Sequence, residues 1–400
     1  MKKILIIETE YVGHYLTGYI KYILRSLNKK KIKIFLLLSD ETLQKGKGAL
    51  KILKDENVKF QIETLKTIKV YNYNFISLFL YQLKLYFLIK KKFQILSKKI
   101  IFDHVILTSI QRVDKIISIL GSPFGIIKFS GIFLGLKFHL KMFKIDSQST
   151  NNLLSKYLFY RLLKINTLTK IITNDYLLKK FVKKKRWKNE NKVLFLHDPK
   201  EFNYKFTKKN ALTKLGIDNK KFIILVYGAI IDSKGIEELL NIYKLKKPNI
   251  HCLIVGKQYG STKNYLKNNN LVKSLIKKKK ISIYDGWQTE IKESIFFNAS
   301  DAVWIGYKNY SFPSGVLYQA VCLKKPTILS KEGFINELNK KFKIGISCDI
   351  KNPDDILNAV NKIKNKKYSQ KLNKNISKFI VWSNPHIWTK KFQKFILNIV

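Results

Sequence analysis

The feature that most constrains the fold is an alternation of short apolar runs with longer amphipathic stretches. Such runs are typical of strands buried on both faces of a parallel sheet, and the stretches between them are long enough for crossover helices. The strands predicted in the first half are Lys3–Glu8, Ile32–Leu38, His104–Thr108, Gly125–Phe129, Lys170–Thr173 and Val193–Leu196. Those predicted in the second half are Phe222–Tyr227, His251–Val255, Ile281–Tyr284, Ala302–Ile305, Pro326–Leu329 and Gly345–Cys348. The pattern predicts an α/β protein with doubly wound parallel sheets.

The length of the chain predicts two domains. Its 400 residues are enough for two hydrophobic cores. A break in the pattern follows His197-Asp198-Pro199-Lys200, where a polar stretch runs to Asn210. We expect an N-terminal domain over residues 1–200, a C-terminal domain over 201–380 and a final helix over 381–400. Ligands of two such domains would bind at the carboxyl ends of the strands.

The net charge of +50 raises the question of a nucleic-acid partner. Only four of the 77 basic residues are arginine, namely Arg25, Arg112, Arg161 and Arg186. Proteins that read nucleic acids use arginine for bidentate contacts, so the sequence favours no nucleic-acid partner. The abundance of Ile, Asn, Tyr, Phe and Lys indicates a codon bias. Binding to an anionic membrane surface or to an anionic substrate stays open as a second explanation of the positive charge.

The cysteines indicate a reducing compartment. Cys252, Cys322 and Cys348 are odd in number, and two of them lie in apolar runs, which predicts buried free thiols. No Cys/His spacing resembles a zinc site, and no run of about 20 apolar residues predicts a transmembrane helix. Because Lys3–Glu8 reads as a strand rather than a signal peptide, we expect a cytoplasmic protein, with attachment to the inner face of the plasma membrane left open.

A phosphate site is predicted around residues 311–320, which read SFPSGVLYQA. A turn of small residues here precedes a helix, and a buried strand follows it. The turn would present backbone N–H groups and the hydroxyls of Ser311 and Ser314, and the helix N-terminus adds about half a positive charge. The sequence therefore predicts binding of a nucleoside diphosphate.

Residues of an earlier loop are predicted to bind phosphate as well. Gly228 ends a buried strand and would let the backbone approach a ligand, while Lys234, beside Gly235, could reach a phosphate as a point charge. Tyr307 follows a later strand and would lie near the same site. An ordinary β–α loop with a surface lysine is the alternative.

The order of these motifs over residues 222–350 resembles the nucleotide-sugar half of GT-B glycosyltransferases of group 1, the glycogen-synthase-like group that includes bacterial polysaccharide and lipopolysaccharide transferases. The resemblance implies two Rossmann-like domains facing a central cleft, the first binding the acceptor and the second the nucleotide-sugar. The donor-binding residues that it implies are Gly13, Gly228, Lys234, Gly235, Tyr307, Ser311, Ser314, Gly315, Val316 and Gln319. Ala229 stands where the group has arginine, and Ser311 and Gln319 stand where it has two glutamates.

The first strand leads into candidate catalytic residues. Gly13-His14 matches the glycine loop that GT-B enzymes place beside donor and acceptor, and Glu8 and Glu10 precede it. We predict His14 and Glu10 as catalytic residues, because an inverting transfer needs a base. A packing histidine and solvated loop glutamates are the alternatives. No Asp-x-Asp pair follows a strand, so we expect neither a metal ion nor another cofactor.

The resemblance thus implies a hexosyltransferase that moves a sugar from a nucleotide-diphosphate-sugar to a hydroxyl of a glycan or lipid-linked acceptor in surface polysaccharide biosynthesis. A catalytically silent GT-B scaffold is the main alternative, and a sugar-nucleotide epimerase on the same fold is a further one. Residues 75–92 and 153–164 are apolar, aromatic and basic. They are interpreted either as helices at an anionic membrane interface or as buried helices of the first domain.

Overall fold

The computed structural model describes residues 1–10, 15–28, 31–68, 74–145, 152–199, 206–245 and 248–397. The chain divides into two units. The first consists of Met1–Phe143, Ser147–Lys200 and Ser383–Val400, and the second of Lys144–Asp146 and Glu201–Trp382.

The first unit is built on a parallel sheet. Its described strands are β1 (Lys2–Glu8), β2 (Ile32–Ser39), β3 (Phe60–Leu65), β4 (His104–Leu107), β5 (Phe129–Ile132), β6 (Leu168–Thr173) and β7 (Val193–Phe195). They are ordered β3-β2-β1-β4-β5-β6-β7. The strand order reverses between β1 and β4, which is where open α/β sheets bind their ligands.

The helices of the first unit cover both faces of this sheet. Those that precede the second unit are α1 (Lys21–Leu27), α2 (Asp40–Lys45), α3 (Lys47–Lys54), α4 (Phe75–Ser97), α5 (Asp114–Leu120), α6 (Asn152–Lys164) and α7 (Tyr176–Lys184). Short helical turns lie at Tyr15–Ile20, Ile110–Arg112, Leu140–Phe143 and Glu190–Lys192. Helices α4 to α7 bury their apolar faces in one core with aromatic residues such as Phe35, Phe102 and Phe129.

The second unit repeats the doubly wound design. Its described strands are β8 (Phe222–Tyr227), β9 (Ile250–Val255), β10 (Ile281–Tyr284), β11 (Ala302–Ile305), β12 (Thr327–Ser330) and β13 (Gly345–Cys348), in the order β10-β9-β8-β11-β12-β13. Its helices are α8 (Lys208–Leu215), α9 (Ile236–Leu240), α10 (Ile242–Leu245), α11 (Gly260–Asn268), α12 (Asn270–Lys277), α13 (Glu290–Ala299), α14 (Gly315–Cys322), α15 (Gly333–Phe342), α16 (Pro353–Lys364) and α17 (Lys366–Trp382). The predicted α/β class with two doubly wound parallel sheets is confirmed.

The last helix, α18 (Pro385–Leu397), packs within the first unit against α1. The ring of Trp388 is fully buried and stacks on Phe392 with centroids 4.9 Å apart. The edge of Tyr22 on α1 meets the same indole at 6.3 Å. This aromatic cluster attaches the end of the chain to the unit in which the chain begins.

Two strand predictions in the first unit are wrong. The segment predicted at Gly125–Phe129 becomes a strand only at Phe129, because Gly125 has φ +59° in a turn. Strand β3 went unpredicted because its side chains, FQIETL, are mostly polar and part-exposed at the edge of the sheet. An edge strand lacks the apolar run that marks a central one.

The cysteines are free thiols, and Cys252 and Cys348 are buried, as predicted, whereas Cys322 is only part-buried. Among the described residues, no helix combines the length and the apolar character needed to cross a membrane.

Candidate functional site

Helix α14 begins at the carboxyl edge of the second unit's sheet. Ser314 caps it, because its Oγ accepts the N–H of Leu317 at 3.2 Å. Gly315 and Val316 form its first turn, in which backbone N–H groups have no intrahelical acceptor. These N–H groups and the positive end of the helix dipole together favour an anion.

Lys234 is buried beside this helix start. Its side chain is only 8% exposed, and its Nζ donates to the Tyr307 hydroxyl at 2.6 Å and to the Tyr227 carbonyl at 3.2 Å. Nζ also lies 4.2 Å from the centre of the Tyr307 ring. No carboxylate of the described part of the chain pairs with it, and burial lowers the pKa of Lys234 to about 7. A buried cation without a counter-charge is costly, and a bound anion would offset that cost.

The Tyr307 hydroxyl joins Lys234 to the helix start. It accepts from Lys234, and the Oγ of Ser314 lies 3.3 Å from it. Gly228 completes the cluster: it has φ +99°, and a Cβ there would lie 3.4 Å from Cγ2 of Val316 and 3.8 Å from Nζ of Lys234. The predicted donor residues of the two sequence motifs therefore meet at one point.

The lysine loop is fixed by the strand beside it. Gly235 has φ +61°, and a Cβ there would lie 2.2 Å from the carbonyl oxygen of Gly306. The indole N–H of Trp304 donates to the Lys234 carbonyl at 2.8 Å. Sequence reasoning missed a second glycine of this kind, Gly256, which follows β9 and whose Cβ would lie 1.8 Å from the Gly228 carbonyl oxygen. The position of Gly256 directly after a buried strand is the sequence signal by which it could have been identified.

Gln319 has an acidic partner that sequence reasoning also missed. Its Nε2 donates to Oε1 of Glu293, and the Tyr227 hydroxyl donates to Oε2 of the same carboxylate at 2.7 Å. Glu293 lies in the first turn of α13. A carboxylate thus lies next to the position at which the group 1 enzymes carry glutamate. Ser311 is buried in the turn that precedes α14.

At the carboxyl end of β1, Glu8 is fully buried and fully hydrogen-bonded. Its carboxylate accepts the hydroxyls of Thr108 at 2.5 Å and Ser109 at 2.9 Å, and the backbone N–H of Glu10 at 3.1 Å. Burial raises the pKa of Glu8, and the hydrogen bonds to Thr108, Glu10 and Ser109 oppose that rise. These hydrogen bonds connect the end of β1 to the residues that follow β4.

Glu10, predicted as catalytic, is paired on both oxygens. Its Oε2 lies 2.6 Å from Nη2 of Arg112, and its Oε1 accepts the Tyr81 hydroxyl at 2.6 Å. Burial and the hydrogen bond to Glu10 raise the pKa of Tyr81. Gly13 and His14, the other predicted residues of this loop, lie outside the described residues. The catalytic roles of Glu10 and His14 stay predictions.

Residues 207–379 match the family model described as "Glycosyl transferases group 1". Several solved structures are similar over the whole chain, among them the following three. HepE of Anabaena in complex with UDP and glucose has a TM-score of 0.69 and 14% identity, with 100% of both chains covered. Sucrose-phosphate synthase of Thermosynechococcus elongatus has a TM-score of 0.70 and 12% identity, covering 100% of this chain and 99% of that one.

The third structure is UDP-GlcNAc 2-epimerase of Neisseria meningitidis bound to UDP-GlcNAc, with a TM-score of 0.62, 13% identity and 100% of both chains covered. At these identities the likeness shows the fold, which is GT-B. A curated protein, apoptosis-inducing factor homolog A of Dictyostelium discoideum, is 26% identical over 156 residues, covering 35% of this chain. The chain matches only 38% of that protein's length, and the likeness assigns neither fold nor activity.

Proposed function

We propose that this protein is a glycosyltransferase that moves a hexosyl group from a nucleotide-diphosphate-sugar to a hydroxyl of a glycan or lipid-linked acceptor, in the synthesis of a surface polysaccharide. The observation that carries the proposal is the buried, uncompensated ammonium of Lys234 beside the start of α14. It lies within the part of the chain that matches the group 1 glycosyl transferases.

The site is suited to a leaving diphosphate. Lys234 supplies a charge held in position by Tyr307, and the N–H groups of Gly315 and Val316 supply donors that need no reorganisation. Donors fixed in this way act on the charge that develops as the glycosidic bond to the diphosphate breaks. Because the approaching anion favours the ammonium form, Lys234 takes up a proton as the diphosphate binds.

The nucleoside end of the donor is assigned to Gln319 and Glu293. The Glu293 carboxylate would accept hydrogen bonds from the ribose hydroxyls, and the Gln319 amide could accept or donate hydrogen bonds there. A hydrogen bond links the two side chains. Glu293 then restores the acidic character that Gln319 lacks. The proposal assigns the charge on the diphosphate to Lys234 and the helix start, and it invokes neither a metal ion nor another cofactor.

The first unit is proposed to bind the acceptor. Glu10 or His14 would act as the base if the transfer inverts the anomeric centre, and Arg112 would hold Glu10 in place. The reaction is placed at the cytoplasmic side of the membrane, without a nucleic-acid partner. The competing function is a catalytically silent GT-B scaffold, which Ala229 in place of the group's arginine supports.

The first experiment is a thermal-shift screen against UDP, GDP, ADP, CMP and dTDP, with Lys234→Met and the exposed Lys267→Met as a matched control. We expect one nucleoside diphosphate to raise the melting temperature of the wild type and of Lys267→Met, and not that of Lys234→Met. A protein that is folded and that none of the nucleotides stabilises would contradict the donor site.

Transfer is tested with the radiolabelled sugar of the nucleotide so identified and a membrane extract as acceptor. We expect label in a glycan or lipid product. If Glu10 is the base of an inverting transfer, Glu10→Gln should lower the rate by about 100-fold or more with nucleotide binding unchanged. Donor binding without any transfer would support the silent scaffold. Conversion of the donor to its epimer would indicate an epimerase.

A further inference from the structure

Helix α4 carries an apolar and cationic stripe on its outer face. Its buried face, which includes Tyr81, Leu85 and Ile89, packs in the core of the first unit. On the opposite side lie the exposed residues Ile76, Leu80, Lys84, Phe87, Lys91 and Ile95. Their spacing of three or four residues places them on one side of the helix. The four apolar members are 47–69% exposed, which is unusual for side chains of this size.

Helix α6 carries a second stripe of the same composition. Its exposed residues Leu153, Leu154, Tyr157, Arg161 and Lys164 also recur at helical spacing. Leu153 is 80% exposed and Tyr157 is 55% exposed. The guanidinium of Arg161 lies 6.0 Å from the centre of the Tyr157 ring, so apolar and cationic groups are again adjacent.

The fold places the two stripes in one layer. Helix α5 packs against both α4 and α6, and all three contribute to the same core on one face of the sheet. The outer sides of α4 and α6 therefore belong to one surface of the first unit, although 54 residues, 98–151, separate the two helices in sequence. We call the exposed residues of these two stripes the outer face.

The charge of the outer face is of one sign. Neither α4 nor α6 contains an aspartate or glutamate. No carboxylate of the described residues pairs with Lys84 or Lys91, whereas the neighbouring Lys92 binds Glu63 at 3.0 Å. Exposed apolar side chains beside unpaired lysines fit a surface that is both negatively charged and hydrocarbon-rich. A nucleic acid would engage the lysines but would leave Ile76, Leu80 and Phe87 in water.

We propose that the outer face binds an anionic lipid bilayer, with Leu80 and Phe87 inserted among the acyl chains and Lys84 and Lys91 at the phosphates. The helices lie along the interface and do not cross it. This inference goes beyond the proposed function, since it concerns a surface of the first unit and holds whether or not the chain transfers a sugar.

The test is co-sedimentation of the full-length protein with vesicles, without nucleotide. We expect binding to vesicles with about 30 mol% phosphatidylglycerol at about 0.15 M salt, and much weaker binding to pure phosphatidylcholine. Two variants change the outer face, Leu80→Ser/Phe87→Ser and Lys84→Glu/Lys91→Glu. Each is expected to lower the partition coefficient about tenfold or more.

The matched control is Lys267→Glu/Lys277→Glu, which makes the same change of charge at exposed positions of the second unit. We expect its partition coefficient to stay within about twofold of the wild type. Melting temperatures check that each variant is folded. A loss in the control equal to that in Lys84→Glu/Lys91→Glu would overturn the proposal, because binding would then follow net charge alone.

Insertion of the apolar residues is tested separately. In Phe87→Trp, we expect brominated phosphatidylglycerol to quench the added fluorescence, measured against the wild type. Unchanged binding of Leu80→Ser/Phe87→Ser, with loss in the lysine variant, would overturn the proposal in favour of a surface that binds polyanions such as nucleic acid. Absence of binding to anionic vesicles would overturn it outright.

Discussion

The carboxyl ends of the two sheets each bury an ionisable side chain, and the two side chains differ in the groups that surround them. In the first unit, Glu8 accepts three hydrogen bonds and Glu10 pairs with Arg112. In the second unit, the buried ammonium of Lys234 meets a hydroxyl, a carbonyl and an aromatic ring, and no described carboxylate.

This difference separates a structural cluster from a binding site. A buried carboxylate whose two oxygens already accept hydrogen bonds from the protein has little capacity left for a ligand. A buried cation without a counter-charge lowers stability until an anion arrives. On the proposed function, the free energy that Lys234 costs in the empty protein would be recovered when a diphosphate binds.

The largest expected effect is the loss of stability in Glu8→Leu. The substitution leaves the hydroxyls of Thr108 and Ser109 and the N–H of Glu10 without their acceptor in a buried site. We expect the free energy of unfolding, measured with urea, to fall by about 2–4 kcal/mol. Glu8→Gln keeps one acceptor oxygen and should lose less. Equal losses in the two variants would argue against the hydrogen bonds as the source of stability.

Lys234→Met should change stability in the opposite direction. Methionine fills a similar volume without a charge, so we expect the free energy of unfolding at pH 7 to rise by about 1–3 kcal/mol. The pKa of Lys234 falls to about 7 on folding, so the unfolded chain binds more protons between about pH 7 and 10.5. The stability of the wild type should therefore rise with pH in this window, and this contribution should be absent from Lys234→Met. A large destabilisation would instead make Lys234 a structural residue.

A smaller effect concerns the acidic partner of Gln319. Glu293→Gln removes the carboxylate that accepts from Tyr227 and Gln319. We expect the affinity for the preferred nucleoside diphosphate to fall about tenfold, and its preference over the 2′-deoxy analogue to shrink. Adding Gln319→Glu returns a carboxylate to the pair and should restore both. If Glu293→Gln bound the nucleoside diphosphate with wild-type affinity, Glu293 would not be part of the binding site.

The smallest expected effect is that of breaking the Glu10–Arg112 pair. Both side chains are partly solvent-exposed, at 24% and 36%, so water screens their attraction. Arg112→Met should change the free energy of unfolding by less than about 1 kcal/mol. A loss as large as that of Glu8→Leu would extend the structural cluster to Glu10 and weaken its assignment as a base.

Much of the second unit's fold was predictable because its central strands are buried on both faces. Strands β8 and β11 have the predicted bounds, since apolar runs such as Phe222–Tyr227 end sharply at polar or glycine residues. Strand β3 was not predictable in this way, because its Gln61 and Thr64 are exposed at the sheet edge. A strand that is buried on both faces has a continuous apolar run, which can be recognised in the sequence. An exposed edge strand has no such run.

The closeness of Lys234, Tyr307 and Ser314 was predictable from the sequence, but the burial of Lys234 was not. Lys234 and Ser314 follow from loop and helix-cap motifs. The burial of Lys234 depends on contacts made at a distance along the chain, with the ring of Tyr307 above it and Trp304 holding its loop. Glu293 escaped prediction because it lies 26 residues from Gln319 and no local pattern joins them.

The most direct test of the central claim is calorimetric titration of the preferred nucleoside diphosphate at pH 8 in buffers of different ionisation enthalpy. With the pKa of Lys234 at about 7, most of the empty site is neutral at this pH. Binding should therefore take up about 0.5–1 proton per diphosphate in the wild type and in Lys267→Met, and none in Lys234→Met, whose affinity should fall about 100-fold. Tight binding by Lys234→Met, or binding by the wild type without proton uptake, would contradict the account.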